Sequence, residues 1–390
     1  MPWDNTTLFA DDSPEDAAFR RDVRDWVREN CPRAIINRPD RVPPPEVRPW
    51  HRKLYERGWI APHWPREYGG MGTTLTRQIV LYEEINRIGA PTPFQHGLNL
   101  IGPILIQAGT PEQKARHLPG ILTGDVVWCQ GYSEPGAGSD LASLATRAVL
   151  EDDHFVVNGQ KIWTTNGPWA DWMFALVRTD PEAQPRHRGI SLLLIDMKTP
   201  GITLRPIRSM RGDAELAEEF FDNVRVPREN LVGPLNGGWK LANTLLGAER
   251  FTTGSPRAAA VRLNKAREVA RLSGAIDDPA FRQQLAALEI DLLAFSAFYR
   301  HGADLQGLKR APESIGPVMK AFGGELGHRA AELVLQAAGP LGPARQELRL
   351  GDDLLDVAGD LFASRISVVG GGTTEIQKNI IAKRILDLPS

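Results

Sequence analysis

Residues 130–140 run Gln130-Gly131-Tyr132-Ser133-Glu134-Pro135-Gly136-Ala137-Gly138-Ser139-Asp140, a mixture of glycines and short polar side chains. Glycine lets a backbone approach a ligand closely, and successive free N–H groups can hold anionic or carbonyl oxygens. The glycine spacing is not that of a dinucleotide-binding turn, and no helix follows as a βαβ unit would require. Read alone, the segment is first a tight loop between strands, since glycine and proline mark turns first. Glu249-Arg250 is an adjacent acid and base, a pattern that by itself reads as the solvated face of a helix. The 8 histidines show neither metal-ligand nor triad spacing, so no metal site is expected. The 2 cysteines, Cys31 and Cys129, build no disulfide framework or zinc site. A reducing, cytoplasmic setting fits them.

The rest of the chain must position these residues. Its 390 residues suggest two or three domains, and 42% hydrophobic with 24% charged residues is enough to bury real cores. A net charge of −2 argues against a nucleic-acid footprint. The first dozen residues are polar and acidic without a signal pattern, and no apolar run approaches the ~18 residues of a membrane helix.

Three segments follow different periods. Residues 1–125 read as helical. Ser13-Pro14-Glu15-Asp16 and Thr110-Pro111-Glu112-Gln113 each combine a capping hydroxyl, a proline at the first helical position and early acids. Further helical patterns cover 49–57, 75–88 and 98–107. From 126 to 235 the period is two, with strand-like runs at 155–157, 161–163, 172–177, 190–195 and 219–226. Asn158-Gly159 between two such runs predicts a hairpin turn. Short strands with no long helix between them predict a sandwich or barrel. From 236 to 390 long helical stretches return, at 239–272, 280–305, 313–338, 352–368 and 374–386, and predict a helix bundle. Gly254-Ser255-Pro256 predicts a kink or break inside the first of them.

The loop at 130–140 is followed by Asn158-Gly159-Gln160-Lys161-Ile162-Trp163-Thr164-Thr165-Asn166-Gly167, and together they resemble the middle domain of the acyl-CoA dehydrogenase family. Residues Phe220 to Pro227 resemble that domain's last strand, and Gly372-Thr373-Thr374-Glu375-Ile376-Gln377 the family's C-terminal signature. The resemblance spans the chain in order. It implies an α+β fold with an N-terminal helical domain (1–125), a middle β-barrel or sandwich domain (126–235) and a C-terminal four-helix bundle (236–390). It also implies FAD, held between the β domain and the bundle, and α,β-dehydrogenation of an acyl-CoA thioester to the trans-2-enoyl-CoA. Gln130, Tyr132, Ser133, Ser139, Trp163, Thr165, Gln336, Gly339, Thr373 and Glu375 then match cofactor-binding positions. Ser139, Arg250 and Gly371 match substrate-side positions. Trp163 has a plain alternative as strand core, and Thr165 as a turn residue.

The sequence departs from the family pattern in three places. Gly371 stands where many members carry the catalytic glutamate, Pro340 replaces a glycine after Gly339, and the Arg-x-Phe-Gly motif of the subunit contact is missing. Long-chain, branched-chain and steroid side-chain members carry the base just before an arginine on the first bundle helix, which here is Glu249 before Arg250. That subgroup, with the volume freed at Gly371, implies a branched, long or ring-bearing acyl group. The resemblance further implies an electron-transferring flavoprotein as acceptor and a homotetramer, or a heterotetramer with a related chain. The rival readings are an acyl-CoA oxidase or nitroalkane-type flavin oxidase on the same fold, and a non-catalytic subunit of a heteromeric dehydrogenase.

Overall fold

The computed structural model describes residues 12–36, 38, 42–244, 254–307, 315–344, 348–350 and 353–389. Glu249 and Arg250 lie outside the described residues. The chain divides into two compact units. One comprises Met1–Asp40, Thr73–Thr92 and Gly247–Ser390; the other comprises Arg41–Gly72 and Pro93–Leu246. The helices of the first 125 residues are thus shared between the two.

In the second unit the strands β1 (Trp128–Gly131), β2 (Arg147–Glu151), β3 (His154–Thr165), β4 (Trp172–Arg178), β5 (Ile190–Asp196), β6 (Ile202–Ile207), β7 (Leu216–Pro227) and β8 (Leu231–Val232) form one mixed sheet. Its order is β6-β7-β3-β2-β4-β5-β8, with β1 added in parallel to β4. Phe155, Val157, Met173, Ala175, Leu193, Ile195, Val224 and Val226 pack in one apolar core. Strands β5 and β7, far apart in the ladder, touch across it. The sheet therefore curls back on itself as a sandwich-like layer pair, although its hydrogen-bonded ladder is not closed between β6 and β8.

Asn158-Gly159 is not a hairpin turn. Strand β3 runs straight through it, and the β2–β3 turn falls at Asp152-Asp153, between the paired residues Glu151 and His154. The glycine faces a bulge in β7 instead: between the pairs Val157–Val224 and Gly159–Phe221, Asn158 stands opposite both Asp222 and Asn223. A Cβ on Gly159 would sit 2.7 Å from the Cα of Thr146. The Asn158 side chain fills the gap in the ladder, accepting the Asn223 backbone N–H at 2.9 Å and donating to the Asn223 amide oxygen at 3.2 Å.

Among the described residues, five α-helices belong to the N-terminal third: α1 (Pro14–Asn30), α2 (Pro44–Glu56), α3 (Leu75–Arg87), α4 (Gly102–Ala108) and α5 (Pro111–Thr123). The expected starts at Ser13 and Thr110 are capped by their own hydroxyls, and Thr110 with Gln113 completes a capping box. The expected helix at 98–107 begins earlier, as a π-helical turn over His96–Ile101. The carbonyl of Leu98 there accepts from the Trp64 indole at 2.8 Å and lies 3.1 Å from the His63 ring.

The first unit is mostly helical. Glu83 and Glu84 on α3 are buried, and Glu84 accepts from Arg20, Arg24 and Arg87 at 2.8–3.2 Å. Gly254-Ser255-Pro256 is not helical, as its residues predict, and α6 (Arg257–Ser273) starts after it. Helices α7 (Pro279–Gly307) and α8 (Ile315–Ala337) pack with α6 around Leu263, Phe281, Phe295, Met319 and Leu333. The expected helix at 352–368 is different. Residues Asp353–Leu355 form a strand, β10, antiparallel to β9 (Leu348–Leu350). Only then come α9 (Val357–Ser364) and α10 (Ile366–Val369), before α11 (Thr374–Arg384) closes the chain. The physical reason is Asp356, whose carboxylate accepts the Gly359 N–H at 2.8 Å and fixes the helix start there. The C-terminal segment therefore has three long helices among the described residues, with shorter ones after them.

Candidate functional site

In the sheet unit, β1 leads into the glycine loop. Gly131 is the last residue of β1, and only glycine fits there, since a Cβ would meet the Met173 sulfur at 2.3 Å. The half-buried Gln130 keeps its amide nitrogen buried without a hydrogen-bond partner. Tyr132 is buried and meets Phe174 edge-on, with ring centroids 5.8 Å apart. The Ser133 carbonyl accepts the Ile162 N–H at 3.0 Å, which brings the loop against β3. Gly136, Gly138 and Ser139 are exposed, and nothing lies within 4 Å of a Cβ built on either glycine.

The next residue along β3 is Trp163. The β3–β7 register slips a second time, between Ile162 and Thr164, so Trp163 is the extra residue of a bulge. Its φ is +65° and its side chain is 58% exposed. A bulky residue held there costs on the order of 1–3 kcal/mol, a strain that clusters at functional sites. The strand-core alternative for Trp163 is therefore excluded by the structure. Thr165, two residues on, is half-buried at the strand end, while the neighbouring Thr164 hydroxyl donates to Glu219 at 2.6 Å.

Beneath these segments lies a buried ionic cluster that sequence reading did not single out. Lys161 is fully buried and donates to Glu134 at 2.7 Å and to the Tyr132 carbonyl at 3.1 Å. Glu134 also accepts the backbone N–H groups of Ala145 and Thr146 at 2.6 and 2.9 Å. Burial pushes the Glu134 carboxyl up, but Lys161 and these amides outweigh it and hold the acid below its ordinary range. Burial draws Lys161 down to about 8 against the opposing pull of Glu134. Glu219 pairs with Lys161 across the β3–β7 ladder and is fully buried, with one carboxylate oxygen lacking a partner. Burial pushes its carboxyl up to about 7, more than the Thr164 hydrogen bond lowers it. The available signal was parity, since Lys161 and Glu219 stand at inward positions of paired strands.

The helical unit carries the remaining candidates. Gly371 and Gly372 have φ of +70° and +94°, in the left-handed region that suits glycine. The Thr373 hydroxyl caps α11 by accepting the Ile376 N–H at 3.2 Å, and Glu375 is exposed in the first turn. Two polar atoms beside this turn, the Thr374 hydroxyl and the Gln377 amide oxygen, are buried without partners. Gln336 is exposed in the last turn of α8, and Gly339 is exposed at φ +57°. A Ser364–His328–Glu332 chain is also formed, with His328 2.7 Å from the serine hydroxyl and 3.0 Å from the glutamate. It is not a nucleophilic triad: Ser364 is 1% exposed and its hydroxyl donates to the Leu361 carbonyl at 2.6 Å.

Three family models match the chain in order. They are the N-terminal domain of acyl-CoA dehydrogenase over residues 13–125, its middle domain over 129–224 and its C-terminal domain over 236–386. Acyl-CoA dehydrogenase IpdE1 of Mycobacterium tuberculosis is 37% identical over 382 residues, covering 95% of this chain and 97% of its own. Among solved structures, a steroid acyl-CoA dehydrogenase, Tcur3481-Tcur3483, superposes with a TM-score of 0.87 at 31% identity, covering 98% of this chain and 100% of that one. The ChsE4-ChsE5 complex of Mycobacterium tuberculosis superposes with a TM-score of 0.86 at 33% identity, covering 98% and 99%.

Proposed function

The chain belongs to the acyl-CoA dehydrogenase family, an oxidoreductase family of flavoproteins, and from that premise we propose that it oxidises a ring-bearing acyl-CoA to its trans-2-enoyl thioester with FAD. The observation that carries the flavin reading is Trp163, an indole turned out of its strand at a strained backbone angle beside an open glycine loop. The donor set fits the cofactor. An unpartnered buried amide at Gln130, the Ser133 and Thr165 hydroxyls and the Gly136–Gly138 backbone suit a flat aromatic group with polar edges. In the helical unit, the unpartnered Thr374 and Gln377 atoms beside Thr373 and Glu375 suit a polar ligand that makes further contacts. Gln336 and Gly339, exposed at the end of α8, are left for the cofactor of a neighbouring subunit.

FAD, when bound, supplies the two-electron acceptor for the hydride from the β-carbon. The chain's residues do the rest. Glu249 takes the α-proton, because Gly371 offers no carboxylate at the other position the family uses. Gly371 offers its backbone N–H to the thioester oxygen, with Ser139 and Arg250 toward the CoA side, which stabilises the enolate character that develops as the proton leaves. Trp163 shields the reacting face from water, and the Thr165 hydroxyl orients the ring system.

The ring-bearing substrate draws support from the small residues at 370–372 and from likeness to a protein described as a steroid dehydrogenase. Both solved relatives are two-component assemblies, which supports a heterotetramer with a related chain over a homotetramer. Helix α7 offers a surface for assembly, with Ile290, Leu293 and Phe298 exposed. An electron-transferring flavoprotein as acceptor and a cytoplasmic setting complete the proposal. Among the described residues no helix is long and apolar enough to cross a membrane. The division at 1–125, 126–235 and 236–390 is proposed as the family's domain order. The test is anaerobic titration of the purified protein, alone and mixed with a related chain, with straight, branched and ring-bearing acyl-CoAs while flavin bleaching is followed. Best bleaching by a ring-bearing thioester is expected; best bleaching by butyryl-CoA overturns the substrate reading, and rapid reoxidation in air favours an oxidase.

A further inference from the structure

We propose that Lys161 and Glu134 are positioning residues for the cofactor, a buried ion pair that locks the glycine loop to the strand bearing Trp163. The inference rests on the flavin reading above. Four kinds of contact converge on residues 132–137. The Lys161 ammonium holds the Tyr132 carbonyl at 3.1 Å and the Glu134 carboxylate at 2.7 Å. The Ser133 carbonyl takes the Ile162 N–H at 3.0 Å. Glu134 and Ala137 exchange backbone hydrogen bonds at 3.1 and 3.0 Å, closing the turn. The Glu134 carboxylate then ties the loop to Ala145 and Thr146 at 2.6 and 2.9 Å.

A lysine with no exposed surface is a poor choice for stability alone. Two buried charges lose their hydration, and an apolar pair of similar volume often serves a fold as well. What an apolar pair cannot do is donate to the Tyr132 carbonyl while accepting two backbone amides from the far side of the loop. Lys161 also stands two residues before Trp163 and one before Ile162, whose N–H holds Ser133. One ammonium therefore sets the height of the loop backbone relative to the indole. Without it, Ser133 and the open glycines lose their fixed spacing to Trp163, and a flat ligand that contacts both loses pre-organised partners.

The experiment compares Lys161→Met, Glu134→Gln and the double variant with the parent, each stripped of flavin and titrated with FAD. Thermal unfolding of the flavin-free protein reports the fold, and FAD affinity and the fine structure of the bound flavin spectrum report the site. Lys161→Met is expected to unfold earlier, because it leaves the Glu134 charge buried and unpaired. The double variant removes both charges and regains most of that midpoint. Its FAD dissociation constant stays raised by about tenfold, because a loop no longer held by Lys161 must be ordered as the cofactor binds. Glu134→Gln, which keeps the Lys161 bond to Tyr132, binds FAD more tightly than the double variant. If FAD affinity and spectrum recover together with stability in the double variant, the pair is structural and the inference fails. A parent that takes up no FAD brings down the flavin reading and this inference with it; a parent that binds FAD beside a double variant of equal affinity brings down this inference alone.

Discussion

Replacing Glu219 by Gln tests the buried cluster through its pH dependence. The carboxyl, pushed up to about 7 by burial, would ionise near 4.5 in an unfolded chain. Between those two values the folded protein holds a proton that the unfolded chain has lost. Stability from this group is therefore present below about 4.5 and falls as pH rises through about 7. With about 1.4 kcal/mol per tenfold of acidity, the loss is about 1 kcal/mol at pH 5 and about 3 kcal/mol at pH 7.5. Glutamine keeps an acceptor for the Thr164 hydroxyl but cannot ionise. Its NH2 group takes the place of an oxygen that has no partner, a cost on the order of 1–3 kcal/mol that does not vary with pH. The readout is accordingly a difference of differences. Urea unfolding of parent and variant at pH 5 and pH 7.5, both below the value of about 8 for Lys161, should show the variant gaining about 2 kcal/mol on the parent over that interval. Parallel pH profiles would refute the claim that Glu219 holds its proton through burial.

Two further outcomes are expected. Glu249→Gln should slow flavin reduction by acyl-CoA, read by stopped flow, by roughly 10²–10⁴ while flavin content stays near normal; reduction at the parent rate would move the base elsewhere. Leu293→Glu, on a side chain of α7 that is 71% exposed, should give a smaller assembly by light scattering, and an unchanged mass would show that this face is not a subunit contact.

Features set within a few residues were legible from the sequence. Ser13 and Thr110 cap helices because the hydroxyl and the N–H it accepts lie three residues apart, so nothing distant decides the outcome. The stretch at 352–368 shows where that stops. Leu354-Leu355 suits a helix or a strand equally well, and pairing with Leu348–Leu350 decides for a strand. Asp356 was a readable cap that moved the helix start past them. Asn158-Gly159 failed for a different reason. The pair does favour unusual backbone angles, but Thr146 and Asn223, brought alongside by other strands, hold it within one long strand opposite a bulge in β7.

The same logic governs the site. Strict alternation along β3 from Phe155 and Val157 would place 159, 161 and 163 inward, which puts Lys161 in the core and makes Trp163 a core residue. Lys161 does lie in the core and Trp163 does not, because one extra residue at 163 hands the inward place to Thr164 and turns the indole out. No composition or spacing rule announces that slip; it exists only in the register against β7, where Ile162 faces Glu218 and Thr164 faces Ala217. Lys161 and Trp163, in the proposed site, are thus residues where local preference and long-range pairing disagree. An aromatic residue at positive φ and a lysine without solvent are each unfavourable alone, and they stand two residues apart on the strand that meets the glycine loop. A fold under selection for stability alone would shed both. Their coincidence at the segment that resembles a flavin-contact motif is the physical argument that this part of the sheet is shaped for a ligand.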